Sequence, residues 1–245
     1  MTDRGEAALR QSPEALQVGP SVMRWQAGTL VIDINEISAP PVISRVKGQI
    51  RLTPTAITSV EALLTPDARH IWRPFAPSAR IEVDLTQGHQ WQGHGYFDAN
   101  FGAAPLEADF RRWAWGRYPR IHGGTTCFYD GIRADGSALA LGLTFAADGT
   151  AHQITAPPTA SLPRTNWLLA RDTRCDAGHH PRQVLPMLDA PFYSRSLVQT
   201  HIDGEQVTGV HESLDLARFA NPFLKPLLAF RVPRRQGWTF AKPTN

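Results

Sequence analysis

Two pairs of residues, each spaced i, i+2, are the parts of this chain best suited to chemistry: His70 with Trp72, and Tyr96 with Asp98. Successive side chains of an extended segment alternate faces, so each pair would project from one side of its strand. A β barrel that brought the two sides together would set one acid, one imidazole and two aromatic faces around a common space. The second pair lies in the run Trp91-Gln92-Gly93-His94-Gly95-Tyr96-Phe97-Asp98-Ala99-Asn100-Phe101-Gly102. There His94, Tyr96, Asp98 and Asn100 share one face, and Phe97, Ala99 and Phe101 share the other. A polar face of this kind either meets water on a half-buried strand or lines a pocket. For His70 the plainer alternative is a surface histidine beside a buried Trp72.

Other chemistries find less support. His89 and His94 would face opposite sides of a strand, His179 and His180 are adjacent in a loop-like stretch, and His211-Glu212 lacks a second His four residues on. None of these matches metal-ligand spacing, so no metal is expected. There is no Gly-x-Ser-x-Gly, and Ser194 and Ser196 have no evident base. The glycines of 93–102 lack the strand-to-helix context of a phosphate loop, so no such loop is expected either. Cys127 and Cys175 form neither a disulfide framework nor a zinc pattern, which fits a reducing compartment. The 25 basic and 22 acidic residues leave a net charge of +3, too balanced to argue for a nucleic-acid partner. No apolar run approaches the length of a membrane span.

The elements that must position these residues read as short strands. Val22–Gln26 and Thr29–Asn35 form a hairpin around Ala27-Gly28, and Val42–Leu52 gives a further strand ended by Pro54. Strand alternation resumes over Ile81–Leu85 and again over Phe110–Tyr118. Thr126–Ile132 pairs with Ala138–Phe145 across Asp135-Gly136, and Asp148-Gly149 makes the next turn. Asn166-Trp167-Leu168-Leu169 begins another set of strands, which continues through 183–188, 192–202 and 206–212. Leu214–Phe230 is the one helical stretch, interrupted by Pro222 and Pro226. About ten short strands predict a mostly β protein, a barrel or sandwich, and a closed barrel of this size can hold one elongated apolar ligand. Pro157-Pro158 divides the chain into a first β half, 1–156, and a second, 157–245, that carries the C-terminal helical segment.

Five runs in order carry a resemblance: Gly95–Gly102, Arg112–Arg117, Leu188–Arg195, Val210–Asp215 and Phe230–Arg235. Together they resemble the carotenoid 1,2-hydratases, also called hydroxyneurosporene synthases, over nearly the whole chain. The resemblance implies a lipocalin-like antiparallel β fold and a hydro-lyase that adds water, without a cofactor, across the terminal C1=C2 bond of acyclic carotenoids. It implies Asp98 as proton donor with Tyr96, His70 and Trp72 around it. Tyr96 and Asp98 lie inside a matching motif, whereas His70 and Trp72 rest on H-x-W spacing. Protonating a trisubstituted alkene creates a tertiary cation, so Asp98 must carry its proton at neutral pH. That requires a rise of about three pH units from ~3.9, roughly 4 kcal/mol, which burial in an apolar pocket supplies.

Met1-Thr2-Asp3-Arg4-Gly5 resembles an internal segment of the family, so the chain is expected to lack the family's N-terminal region. The alternative for a chain without it is a lipocalin-like carrier that binds a carotenoid without turnover, and cation stabilisation would serve another terpenoid hydration or cyclisation equally well. The expected partners are an acyclic carotenoid and water, in the cytoplasm. Phe219, Phe223, Leu224, Leu227, Leu228 and Phe230 beside Lys225, Arg231, Arg234 and Arg235 suggest peripheral contact with the cytoplasmic membrane, or else a core-packed helix with a solvated basic tail.

Overall fold

The structure, a computed structural model, describes residues 5–37, 43–86 and 88–223. Seventeen strands are joined mostly by tight turns. In chain order they are β1 (Leu9–Gln11), β2 (Ala15–Val18), β3 (Ser21–Gln26), β4 (Thr29–Ile37), β5 (Arg45–Pro54), β6 (Ala62–Leu63), β7 (His70–Leu85) and β8 (His89–Gly102). The short helix α1 (Leu106–Asp109) leads into β9 (Phe110–Pro119), β10 (Thr125–Arg133), β11 (Ala138–Phe145) and β12 (Ala151–Ile154). There follow β13 (Thr159–Leu162), β14 (Arg171–Arg174), β15 (Arg182–Asp189), β16 (Tyr193–Ile202), β17 (Glu205–Asp215) and the helix α2 (Leu216–Phe219). All assigned strand pairs are antiparallel, as the alternating sequence pattern requires.

The described residues form two compact units that interleave along the chain. The first takes residues 5–55 and 79–96, and the second takes 56–78 and 97–223. The division suggested at Pro157 falls inside the second unit, because β17 pairs with β9 and ties sequence from both sides of residue 157 into one sheet. A proline pair interrupts hydrogen bonding locally but does not prevent the strands on either side from meeting later.

In the first unit β1 to β5 form a meander that continues onto the 79–85 part of β7. The β3–β4 hairpin turns at Ala27 (φ 48°) and Gly28 (φ 77°), a left-handed pair that matches the twist of the flanking strands. Leu30 pairs with Leu52 and Leu52 with Ile81, which builds an apolar seam that includes buried Leu30, Leu52 and Val83. On the wetter face, Gln49 and Arg24 hydrogen-bond the Asp33 carboxylate and hold it below the usual carboxylate range.

In the second unit seven strands order as β12-β11-β10-β9-β17-β16-β15, and β13 and β14 pair as a separate hairpin. Tyr118 is fully buried and lies flat against two glycines. A Cβ on Gly209 would stand 2.0 Å from the Arg117 carbonyl oxygen and 2.7 Å from the Tyr118 ring, so only glycine fits there. The Tyr118 hydroxyl bonds Thr173 Oγ1 at 2.7 Å, which fastens β14 to the sheet.

Two local expectations change. Strand alternation, expected to resume at Ile81, instead runs unbroken through residues 73–78, so that β7 is one strand from His70 to Leu85. Pro74 and Pro77 fall between the segment that pairs with β6 and the segment that pairs with β5, where a missing N–H is not needed for either ladder. Residues 166–169, expected to open a strand, form a turn in which Leu168 has φ 60° and donates its N–H to Thr165. The expected helix begins at Leu216, after β17 has run through Asp215, whose side chain caps it. It ends at Phe219, residues 220–223 are not helical, and 224–230 with the basic tail lie outside the described residues.

Candidate active site

The buried face of β7 supplies the first component. His70, Trp72, Pro74 and Ala76 are buried while Ile71, Arg73 and Phe75 are only partly covered, which is the period of two that a half-enclosed strand shows. On β8, Phe97 stacks on Phe75 with ring centroids 5.6 Å apart, and strand alternation then turns Asp98 to the other side. There the Trp72 indole Nε1–H donates to Asp98 Oδ2 at 2.8 Å. Two of the four residues expected at the site, Trp72 and Asp98, are thus in direct contact.

Aromatic rings enclose this pair. Tyr129 of β10 lies 5.6 Å from Trp72 and 5.8 Å from Trp113 of β9, centroid to centroid. Burial pushes the Tyr129 phenol well above its usual range, and carboxylates at Asp98 and then Glu212 add in the same direction. Burial likewise pushes the Cys127 thiol up to about 12, lowered somewhat by Arg117 and raised by Asp98. Both groups are therefore neutral near pH 7 and bring no competing charge to Asp98. Tyr129 was not foreseen: it sits in an ordinary strand pattern, and only the pairing of β10 with β9 places it here.

His70 plays a different part. Its Nε2 is 2.7 Å from Asp109 Oδ2, and Arg69 holds the other oxygen of Asp109 at 2.7 Å. The ring packs edge-on against Phe110 and lies over Gly102, where an added Cβ would come within 3.0 Å of Nδ1. Gly102 is four residues beyond Asp98 on the same strand, about 13 Å at ~3.3 Å per residue. His70 is therefore engaged at the α1 end of β8, whereas Trp72 holds the acid. Asp109, which closes a four-residue helix without periodicity, gave no sequence signal. Tyr96 is half-buried and belongs to the first unit. Along the polar face of β8, His94 and Asn100 are exposed and Asp98 is half-buried, so enclosure is confined to the middle of the run.

A cavity of about 270 Å³ in the second unit is lined by Arg112, Asp130, Ala140, Asp172, Arg174 and Ser213, among others. Asp130, Ala114 and Ser213 form one cross-strand row and Tyr129, Trp115 and Glu212 the next, so the two rows point to opposite faces of the sheet. This charged cavity is therefore not the space beside Asp98. Among the described residues no three His, Cys, Asp or Glu side chains are grouped to hold a metal, and no helix is long and apolar enough to cross a membrane.

The fold is of the antiparallel, lipocalin-like class. It is shared with a candidate AttH protein of Nitrosomonas europaea, with a TM-score of 0.58 at 14% identity, covering 86% of this chain and 72% of that one. The family model for the carotenoid hydratase CrtC matches residues 1–241. An acyclic carotenoid 1,2-hydratase of Cereibacter sphaeroides is 63% identical over 241 residues, covering 98% of this chain and 86% of the relative. That of Rhodobacter capsulatus is 55% identical, covering 97% and 85%. That of Thiocapsa roseopersicina is 47% identical, covering 97% of this chain and 58% of its own. The chain belongs to the carotenoid hydratase family.

Proposed function

We propose that this protein hydrates the terminal C1=C2 double bond of an acyclic carotenoid of the neurosporene or lycopene type, with Asp98 as the acid. Family membership makes it a hydro-lyase. The single observation that supports the finer assignment is the 2.8 Å hydrogen bond from Trp72 Nε1 to Asp98 Oδ2 within a cluster of aromatic rings.

An indole N–H can only donate, so the oxygen it holds must be an acceptor. In a neutral Asp98 that oxygen is the carbonyl, and the proton to be delivered is then carried on Oδ1. Transfer to C2 of the alkene leaves a tertiary cation at C1. The π faces of Trp72, Tyr129 and Trp113 are suited to such a cation, at roughly 0.5 to 2 kcal/mol each once water is excluded. Neutral rings also cannot capture the cation as an anion would. Water then adds to C1 and loses a proton, and Asp98 is reprotonated. Oxidation state does not change overall, so the reaction calls for no electron carrier. His70 has a structural part in this reading, fixed by Asp109 at the neighbouring end of β8, and Tyr96 is given no role in the site.

The test is turnover of lycopene or neurosporene, supplied in membranes, in heavy-oxygen water. A tertiary alcohol carrying the label supports the assignment. Carotenoid that binds and co-purifies but is never converted would replace it with a carrier.

A further inference from the structure

Hydration needs a second proton transfer: the water that attacks C1 must give up a proton, and an acid on one side of the alkene is best matched by a base elsewhere on the same enclosed surface. The strand register supplies a candidate. Tyr129 pairs with Trp115, Trp115 with Glu212 and Glu212 with Arg195, a single cross-strand row over β10, β9, β17 and β16. At ~4.8 Å per strand, the Glu212 backbone is about 10 Å from that of Tyr129. Opposed residues point to one face, so Glu212 stands on the face that carries Tyr129, whose ring packs on the Trp72 that holds Asp98.

Glu212 is also built in. Its side chain is only 13% exposed, and Arg195 Nε donates to Oε1 at 2.8 Å. A buried carboxylate costs several kcal/mol without such a partner. The guanidinium thus places a charge-assisted donor on the carboxyl group that follows Tyr129 and Trp115 in the row.

We infer that Glu212, held by Arg195, is the base that accepts the proton of the attacking water. The inference rests on the Asp98 reading above. The step balances without another reagent: the C2–H bond forms from the Asp98 proton, the C1–O bond forms from water, and the released proton passes to Glu212. Return of both carboxyl groups to their starting states transfers one proton, through solvent, from Glu212 to Asp98.

Glu212→Gln and Asp98→Asn, assayed with lycopene in heavy water, separate the two roles. With the base removed, Asp98 still deuterates C2, and the cation collapses back to alkene by losing a proton. Glu212→Gln is therefore expected to lose at least 100-fold of alcohol formation while the recovered carotenoid gains deuterium. Asp98→Asn should show neither alcohol nor exchange. Near-normal alcohol formation by Glu212→Gln overturns the inference. So does loss of both alcohol and exchange, since Glu212 would then serve the fold or the protonation step. Exchange that persists in Asp98→Asn overturns the reading of Asp98 instead.

Discussion

Replacing Trp72 with Phe removes the N–H that holds Asp98 while leaving a ring on the buried face of β7. The bond is short, at 2.8 Å, and the indole is fully buried, so solvent cannot readily replace the donor. A hydrogen bond to a neutral carboxyl group is worth about 0.5 to 1.5 kcal/mol. If it orients the acid in the transition state, its loss lowers kcat about 2- to 12-fold, at tenfold per ~1.4 kcal/mol, with little change in KM. The smaller ring also leaves a void beside Tyr129 and lowers stability by about 1 to 3 kcal/mol, so the assay belongs well below the Tm. Steady-state kinetics on solubilised lycopene would measure kcat and KM for Trp72→Phe, Asp98→Asn and the double variant. The residual rate of Asp98→Asn should fall no further when Trp72→Phe is added, because the bond is already without purpose. Independent, multiplicative losses, or a Trp72→Phe enzyme altered only in KM, would refute the view that the indole acts through Asp98.

Three further outcomes follow from the surrounding structure. His211 is buried with Nε2 donating to the Asp172 carbonyl at 2.9 Å, and burial pushes its pKa down from 6.5 to about 4. The unfolded chain binds this proton first, so stability present above pH 6.5 should fall by about 3 kcal/mol as pH drops to 4. Urea titrations across that range should show the fall, and His211→Phe should flatten it. Asp109→Asn removes a charged partner from both His70 and Arg69, so a cost of about 1 to 3 kcal/mol, read as a Tm lower by ~2 to 12 °C, is expected with kcat nearly intact at low temperature. Loss of kcat without loss of Tm would return His70 to direct chemistry. Gly209→Ala forces a Cβ to 2.0 Å from the Arg117 carbonyl and should cost more than ~3 kcal/mol or abolish soluble expression.

The parts of the fold governed by local rules were legible in the sequence. Ala27-Gly28, Asp135-Gly136, Asp148-Gly149 and Asp203-Gly204 each end a strand and start its partner, since the turn alone fixes the register. The contact of Trp72 with Asp98 is one that strand alternation in the two i, i+2 pairs allowed for. What eluded the sequence depends on pairing at long range. The continuity of β7 through Pro74 and Pro77 was hidden because local rules do not show that β5 and β6 leave residues 73–78 unpaired. Tyr129 and Glu212 reach the face of the site only through the β10-β9-β17 register, and Asp109 reaches His70 across 39 residues of chain. The interleaved units have the same origin, since β7 and β8 each run from one unit into the other.

The central claim is that Asp98 delivers the proton that begins hydration. Its most direct measurement compares the wild-type chain with Asp98→Asn, both carried in membranes containing lycopene and heavy-oxygen water, and follows label in the tertiary alcohol by mass spectrometry. Asn keeps the shape and still accepts the Trp72 N–H at its amide oxygen, but it has no acidic proton to give. The account predicts labelled alcohol from the wild type and at least a 1,000-fold loss from the variant. Labelled alcohol at a comparable rate from a folded Asp98→Asn protein would contradict it.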